Sequence, residues 1–107
     1  MASGAIVQIR PNIGFSFEQL TVSNSVQVLT PSKYKDSNTS GGASSAFLTN
    51  DGNPIRWTYD GTTPSATVGH LLPDSGILVL QGQNQMAAFK CFRESADSII
   101  SITYERE

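Results

Sequence analysis

The side chains able to do chemistry are few and widely spaced in this chain. His70 is its single histidine and Cys91 its single cysteine. Nucleophilic catalysis needs a nucleophile, a base and an orienting group brought together. His70 lies in Val68-Gly69-His70-Leu71, with no G-x-S-x-G elbow nearby. It reads as a turn histidine whose ring nitrogens fix a loop. Cys91 lies in an alternating apolar segment and reads as a buried, inert thiol. Zinc wants clustered Cys and His, which one of each cannot give. Calcium wants dense oxygen ligands, but Asp51, Asn53, Asp60 and Asp74 fall in separate turns without a D-x-D-x-D-G loop. Those carboxylates read as acceptors for their own turn backbones. Gly41-Gly42 is followed by no Lys-Ser/Thr pair, so no phosphate-binding loop is expected. The expectation is a protein with no enzymatic activity, no cofactor and no metal.

Three other groups stand out as scaffold or contact residues. Asp60-Gly61-Thr62-Thr63-Pro64 reads as a structured turn. Asp60 can accept from donors two or three residues on, Gly61 can take a positive φ, and Pro64 stiffens the exit. Gly69 permits close backbone approach before His70. Candidate partner contacts are Arg56, which could pair with Asp60 or face outward, and the basic-aromatic cluster Lys33-Tyr34-Lys35. Trp57 is in phase with Ile55 and Tyr59, so it is expected in the core rather than as an exposed stacking platform.

The elements that position these residues are short and extended. One domain is expected over residues 1–107. At 15% charged residues the chain is too uncharged for a coiled coil or an acidic disordered segment. A net charge of −2 argues against a nucleic-acid partner. One cysteine excludes an intrachain disulfide. No apolar run approaches the roughly 20 residues of a membrane span, so no membrane partner is expected. The segment MASGAIVQIRPN lacks a basic region followed by a long apolar stretch, so it does not read as a secretory signal.

Apolar residues recur with a period near two. Residues 5–10 read as a strand or arm, part of a candidate N-terminal arm or edge strand over 1–12. Ile13, Phe15 and Phe17 share one face, while Leu20 and Val22 sit on the other, which predicts a bulge near Glu18 and Gln19. Residues 25–30 read as a strand in a hairpin with its predecessor. Residues 31–45 read as a long polar loop, 46–49 and 54–59 as strands, and 77–81 as a buried strand. Residues 82–85 read as a turn. Met86–Arg93 is ambiguous between helix and strand. Residues 98–105 read as a strand with Ile100, Ile102 and Tyr104 on one face. Seven or eight short strands with Gly, Pro, Asn and Asp turns predict an all-β antiparallel sandwich or barrel.

One set of linked motifs resembles a known family. The run from Leu20 to Thr30 is followed by Ile55-Arg56-Trp57-Thr58-Tyr59-Asp60-Gly61-Thr62-Thr63-Pro64, then by Val68-Gly69-His70-Leu71-Leu72. Phe89-Lys90-Cys91-Phe92-Arg93 and Ile102-Thr103-Tyr104 close it. Together these resemble small proteins encoded in the structural-gene regions of tailed bacteriophages, over residues 20–104. Ser65 stands where that family more usually has Thr. The resemblance implies a virion location and a non-enzymatic structural role, foremost a capsid decoration protein held by the major capsid protein or other virion proteins. The alternative is a carbohydrate- or receptor-binding module of a tail or neck, using Trp57, Tyr59 or Tyr34 as stacking groups. A small core and an apolar N-terminal strand further predict a homo-oligomer, a trimer or dimer.

Overall fold

A computed structural model describes residues 12–35 and 42–106. The fold is all-β, as the period-two pattern predicts, with eight strands and two short helices among the described residues. In chain order the strands are β1 (Ile13–Val22), β2 (Gln27–Val28), β3 (Ser45–Asp51), β4 (Ile55–Thr58), β5 (His70–Leu72), β6 (Ile77–Gln81), β7 (Lys90–Arg93) and β8 (Ser98–Arg106). Helix α1 (Pro31–Tyr34) follows β2, and α2 (Gln83–Ala88) follows β6. The expected arm over residues 1–11 lies outside the described residues.

The pairing is nested. β1 pairs with β8, β2 with β7, β3 with β6 and β4 with β5, all antiparallel. The chain is thus one long antiparallel ribbon, bent at the β4–β5 loop and rolled on itself. Contacts β3–β8 and β4–β7 close it into two sheets, ordered β1-β8-β3-β6 and β2-β7-β4-β5. This is the strand order of an eight-stranded jelly roll. The core lies between the sheets and includes Val22, Leu48, Ile55, Phe89, Cys91, Ile100, Ile102 and Tyr104, all fully buried.

Several local expectations are corrected. The bulge in β1 falls at Phe15, between Gly14 and Ser16, and not at Glu18 and Gln19. Beyond it Glu18, Leu20 and Val22 all face inward and Phe17 faces out. Glu18 keeps the inward phase because it has partners there: Thr30 N (3.1 Å), Thr30 Oγ1 (2.7 Å) and the Tyr104 hydroxyl. β1 and β2 form no hairpin, since they belong to opposite sheets, and β2 has only two residues. Within the expected loop 31–45, Pro31 opens α1 at a first-turn position where its missing N–H costs nothing. β6 is an edge strand with Leu80 alone fully buried, not a buried one.

The ambiguous segment is both helix and strand. Gly82, at φ +89°, turns the chain into α2, so residues 83–85 are helical rather than a turn. Met86 and Phe89 then bury at helical spacing, and Phe89 and Cys91 bury at strand spacing. Phe89 belongs to both patterns, which is why neither period alone describes it.

The sheets are also joined by a buried amide. Asn50, at the inward face of β3, is 2% exposed. Its Nδ2 faces the carbonyls of Asn53 (2.8 Å), Leu72 (3.0 Å) and Pro73 (3.1 Å), and its Oδ1 lies 2.6 Å from Ser98 Oγ. Its backbone accepts from Ser75 N (2.9 Å) and donates to Gly76 O (3.0 Å). Ser75 sits in the left-handed region at φ 66°, a strained position that these bonds hold. Asn50→Ala should cost about 2–3 kcal/mol, because it leaves buried carbonyls without donors. Urea unfolding of the two proteins would measure it, and a loss below half that figure would contradict this role for Asn50.

Candidate functional site

The bend of the ribbon, residues 59–69, gathers most of the residues singled out from the sequence. β4 ends at Thr58, so Tyr59 leaves the sheet and its side chain is 45% exposed. Asp60 Oδ1 then accepts from Thr62 N (3.0 Å), as an aspartate two residues before the donor does in an Asx turn. Gly61 has φ +94°, the positive value the turn requires. Thr58 Oγ1 donates to Thr62 O (2.6 Å), which closes the turn onto the strand end. Pro64 is buried. Ser65 and Val68 then exchange backbone hydrogen bonds, and Ser65 Oγ accepts from Thr67 N and Val68 N. The predicted structural turn at Asp60, Gly61, Thr62 and Pro64 is thus a built loop, secured residue by residue.

Gly69 closes the loop against β4. A Cβ there would meet Trp57 O at 3.0 Å, Trp57 N at 3.1 Å and Arg56 Cβ at 3.2 Å, and its φ is +125°. Both sterics and conformation therefore select glycine. Arg56 does not pair with Asp60. Its Nη2 binds Glu94 (2.9 Å) and its Nη1 donates to Gly69 O (3.3 Å), so it ties the loop to the end of β7. These internal bonds make Arg56 part of the framework of the loop.

The other candidate contacts separate as well. Tyr34 is 3% exposed and rests on Tyr104 with ring centroids 5.9 Å apart, so it is core and not contact. Burial raises its phenol above the ordinary value. Lys33 and Lys35 remain exposed. Trp57 lies against the core, as its phase with Ile55 predicts, and Tyr59 departs from that phase because the strand has ended. Trp57 stacks on Phe89 (6.1 Å) on its core side and meets His70 (4.9 Å) and Tyr59 (5.7 Å) toward the surface.

Around these rings the surface is concave. An open cleft of about 600 Å³ is lined by Thr58, Tyr59, Asp60, Thr62, Val68, Gly69 and His70. A smaller one of about 230 Å³ opens where β4 meets β6, with Tyr59 again in its wall beside Trp57, Gln81 and Gln85. From its sequence context His70 reads as a loop fastener. Its role as a cleft wall depends on the β4–β5 pairing, which sets it opposite Trp57.

Tyr59, Asp60 and His70 are the titratable side chains in the wall of the larger cleft. Asp60 is fully exposed, and the Thr62 backbone N–H and hydroxyl hold its carboxyl below the usual range. It is an acceptor at neutral pH, and what it adds to the turn is lost only as pH falls through that lowered value. Cys91 is buried on β7 between its register partners Trp57 of β4 and Gln27 of β2, and burial pushes its thiol up to about 12. Among the described residues, no group of three or more His, Cys, Asp or Glu side chains could hold a metal ion. No helix of the described residues is long and apolar enough to cross a membrane.

Two outcomes test this description. Gly61→Ala should cost about 1–2 kcal/mol from the positive φ alone, and Gly69→Ala should cost at least about 1 kcal/mol more, because its Cβ also meets backbone. Thermal or urea unfolding would rank the two, and the reverse order would sink the close-approach account. Cys91 should resist a thiol-reactive disulfide at pH 8 in the folded protein and react at once in urea. A raised thiol value makes this group stabilising below the unfolded thiol value near 8.5, with that contribution lost as pH climbs toward 12. Comparison of the chain with protein-family models, with curated proteins and with solved structures finds no match.

Proposed function

We propose that this chain is a non-enzymatic virion structural protein, a decoration protein that binds the assembled bacteriophage head. The observation that carries the reading is the outer face of the β1-β8-β3-β6 sheet. Two rows of partnered residues cross it: Phe17, Thr103, Phe47, Val79, then Gln19, Ser101, Thr49, Ile77. A third begins with Thr21 and Ile99. No charged residue stands in the first two rows, and Asp51 and Glu105 occur only at the ends of the face. Phe17 is 54% and Ile99 44% exposed.

A broad uncharged face of apolar and hydroxyl side chains is the composition of an interface centre, where charges are depleted. A solvent-facing sheet in a monomer would instead carry Lys and Glu on such rows. The virion is the partner that the linked motifs between Leu20 and Tyr104 favour. The jelly roll is compatible, since viral capsid domains use it, but a fold alone assigns no function. A face of this kind on a small domain gives modest affinity per copy. Repetition on a symmetric shell, or assembly into a homo-oligomer, raises it through multivalency.

The test is copurification with intact particles and its loss in a charged variant. Phe17→Glu with Ile99→Glu should change stability by about 1 kcal/mol or less, since both positions are exposed. Occupancy on particles should fall at least about tenfold, because two carboxylates would be buried unpaired in the contact. Wild-type protein absent from purified particles, or a double variant bound as well as wild type, would refute the reading.

A further inference from the structure

We propose that the cleft at the bend of the ribbon binds a neutral saccharide, with Tyr59 as its stacking surface. This does not rest on the particle-binding reading: its rings and rim groups lie at the β4–β5 bend, and only the second hollow borders β6.

A sugar ring presents an apolar face of C–H groups and a rim of hydroxyls. A site for it needs an exposed aromatic plane and, beside it, fixed donors and acceptors. Tyr59 supplies the plane. It is 45% exposed, and its ring packs at 5.7 Å on Trp57, which itself packs on the buried Phe89. His70 packs on the same indole at 4.9 Å and stands exposed in the cleft wall. Both surface rings are therefore held before a ligand arrives, so little rotamer freedom is lost on binding.

The rim groups are complementary to hydroxyls. Asp60 is an ionised carboxylate that takes bonds from the Thr62 N–H and hydroxyl, and of its about four acceptor positions about two remain. The Thr62 hydroxyl oxygen can still accept, and His70 adds the nitrogens of an exposed ring. The loop carrying these groups is fixed by the Thr58–Thr62 bond, the paired Ser65 and Val68, and the buried Pro64.

The lining also sets the class of ligand. Neither cleft has a Lys or Arg in its wall, so phosphate and acidic sugars lack a counter-charge. Tyr59 stands in the wall of both clefts. In the second, Gln81 N donates to the side-chain carbonyl of Gln85 (2.7 Å), which leaves the Gln85 NH₂ as a donor. One aromatic residue between two hollows, each with polar groups in its wall, fits a short oligosaccharide better than a single ring.

The experiment uses the full chain labelled with ¹⁵N and titrated with glucose, galactose, N-acetylglucosamine, maltotriose and the N-acetylglucosamine trimer. At least one sugar should shift the amides of residues 58–62 and 68–70 saturably, with Kd on the order of 1 mM. The trimer or maltotriose should bind more tightly than its own monosaccharide. Tyr59→Ala should weaken binding about tenfold or more while Tyr59→Phe retains it, since the ring plane and not the hydroxyl makes the contact. Tyr59 lies beyond the strand end, and an unchanged spectrum elsewhere would show that the variant folds. The proposal fails if no sugar gives a saturable shift at about 100 mM. It fails if Tyr59→Ala leaves the shifts intact. It also fails if tetramethylammonium saturates these amides and no sugar does, which would make the site a cation cage.

Discussion

The arrangement depends first on one buried amide. A jelly roll of about a hundred residues has little core with which to lock two sheets, because a small domain buries a modest share of its surface. Asn50 adds a directional tie between them. Its Nδ2 reaches carbonyls of the β5 end and of the turns on either side, while its Oδ1 meets Ser98 at the start of β8. Hydrophobic contacts would tolerate a small slide of one sheet over the other. A two-proton donor facing three fixed carbonyls in a buried site does not, since any slide leaves polar groups unpaired.

A second polar tie works at the other part of β8. Glu18 of β1 accepts from the Thr30 backbone and hydroxyl and from the Tyr104 hydroxyl. Burial, and then the Glu18 hydrogen bond, raise the Tyr104 phenol, so it stays a donor. β8 therefore carries its apolar residues Ile100 and Ile102 between two inward polar anchors, Ser98 and Tyr104. It is an inner strand of its sheet and partners both β1 and β3. Its register fixes theirs, and so decides which side chains reach the outer face.

The nested topology then separates two surfaces. The ribbon's first and last strands lie side by side and give a broad, flat, uncharged sheet face. The ribbon's bend lies in the other sheet and gives a narrow, rigid loop with aromatic rings behind it. A flat uncharged face suits a large protein partner, and a concave aromatic hollow suits a small polar ligand. The loop's own hydrogen bonds run to β4, through Thr58 and through Arg56, which also holds Glu94.

What is local can be read from the residues alone. The alternation of Ile100, Ile102 and Tyr104, the turn at Asp60-Gly61 and the close approach at Gly69 all depend on neighbours within a few residues. So do the burial of Cys91 and the position of Trp57 against the core, half-buried, which follow from strand phase. The all-β class followed from many such signals together. The tertiary structure decided everything that pairs distant residues. Glu18 reads as a bulge-side polar residue until Thr30 and Tyr104 arrive to satisfy it, and this moved the bulge to Phe15. Tyr34 reads as a surface contact until Tyr104 covers it. Arg56 could choose between Asp60 and Glu94 until β7 brought the latter within 2.9 Å. The cleft was legible only in pieces, since Tyr59, Asp60 and His70 meet through the β4–β5 pairing. Periodicity encodes which face of a strand is apolar, but not which distant group will satisfy a polar one. That partner is set by the order in which the strands roll up.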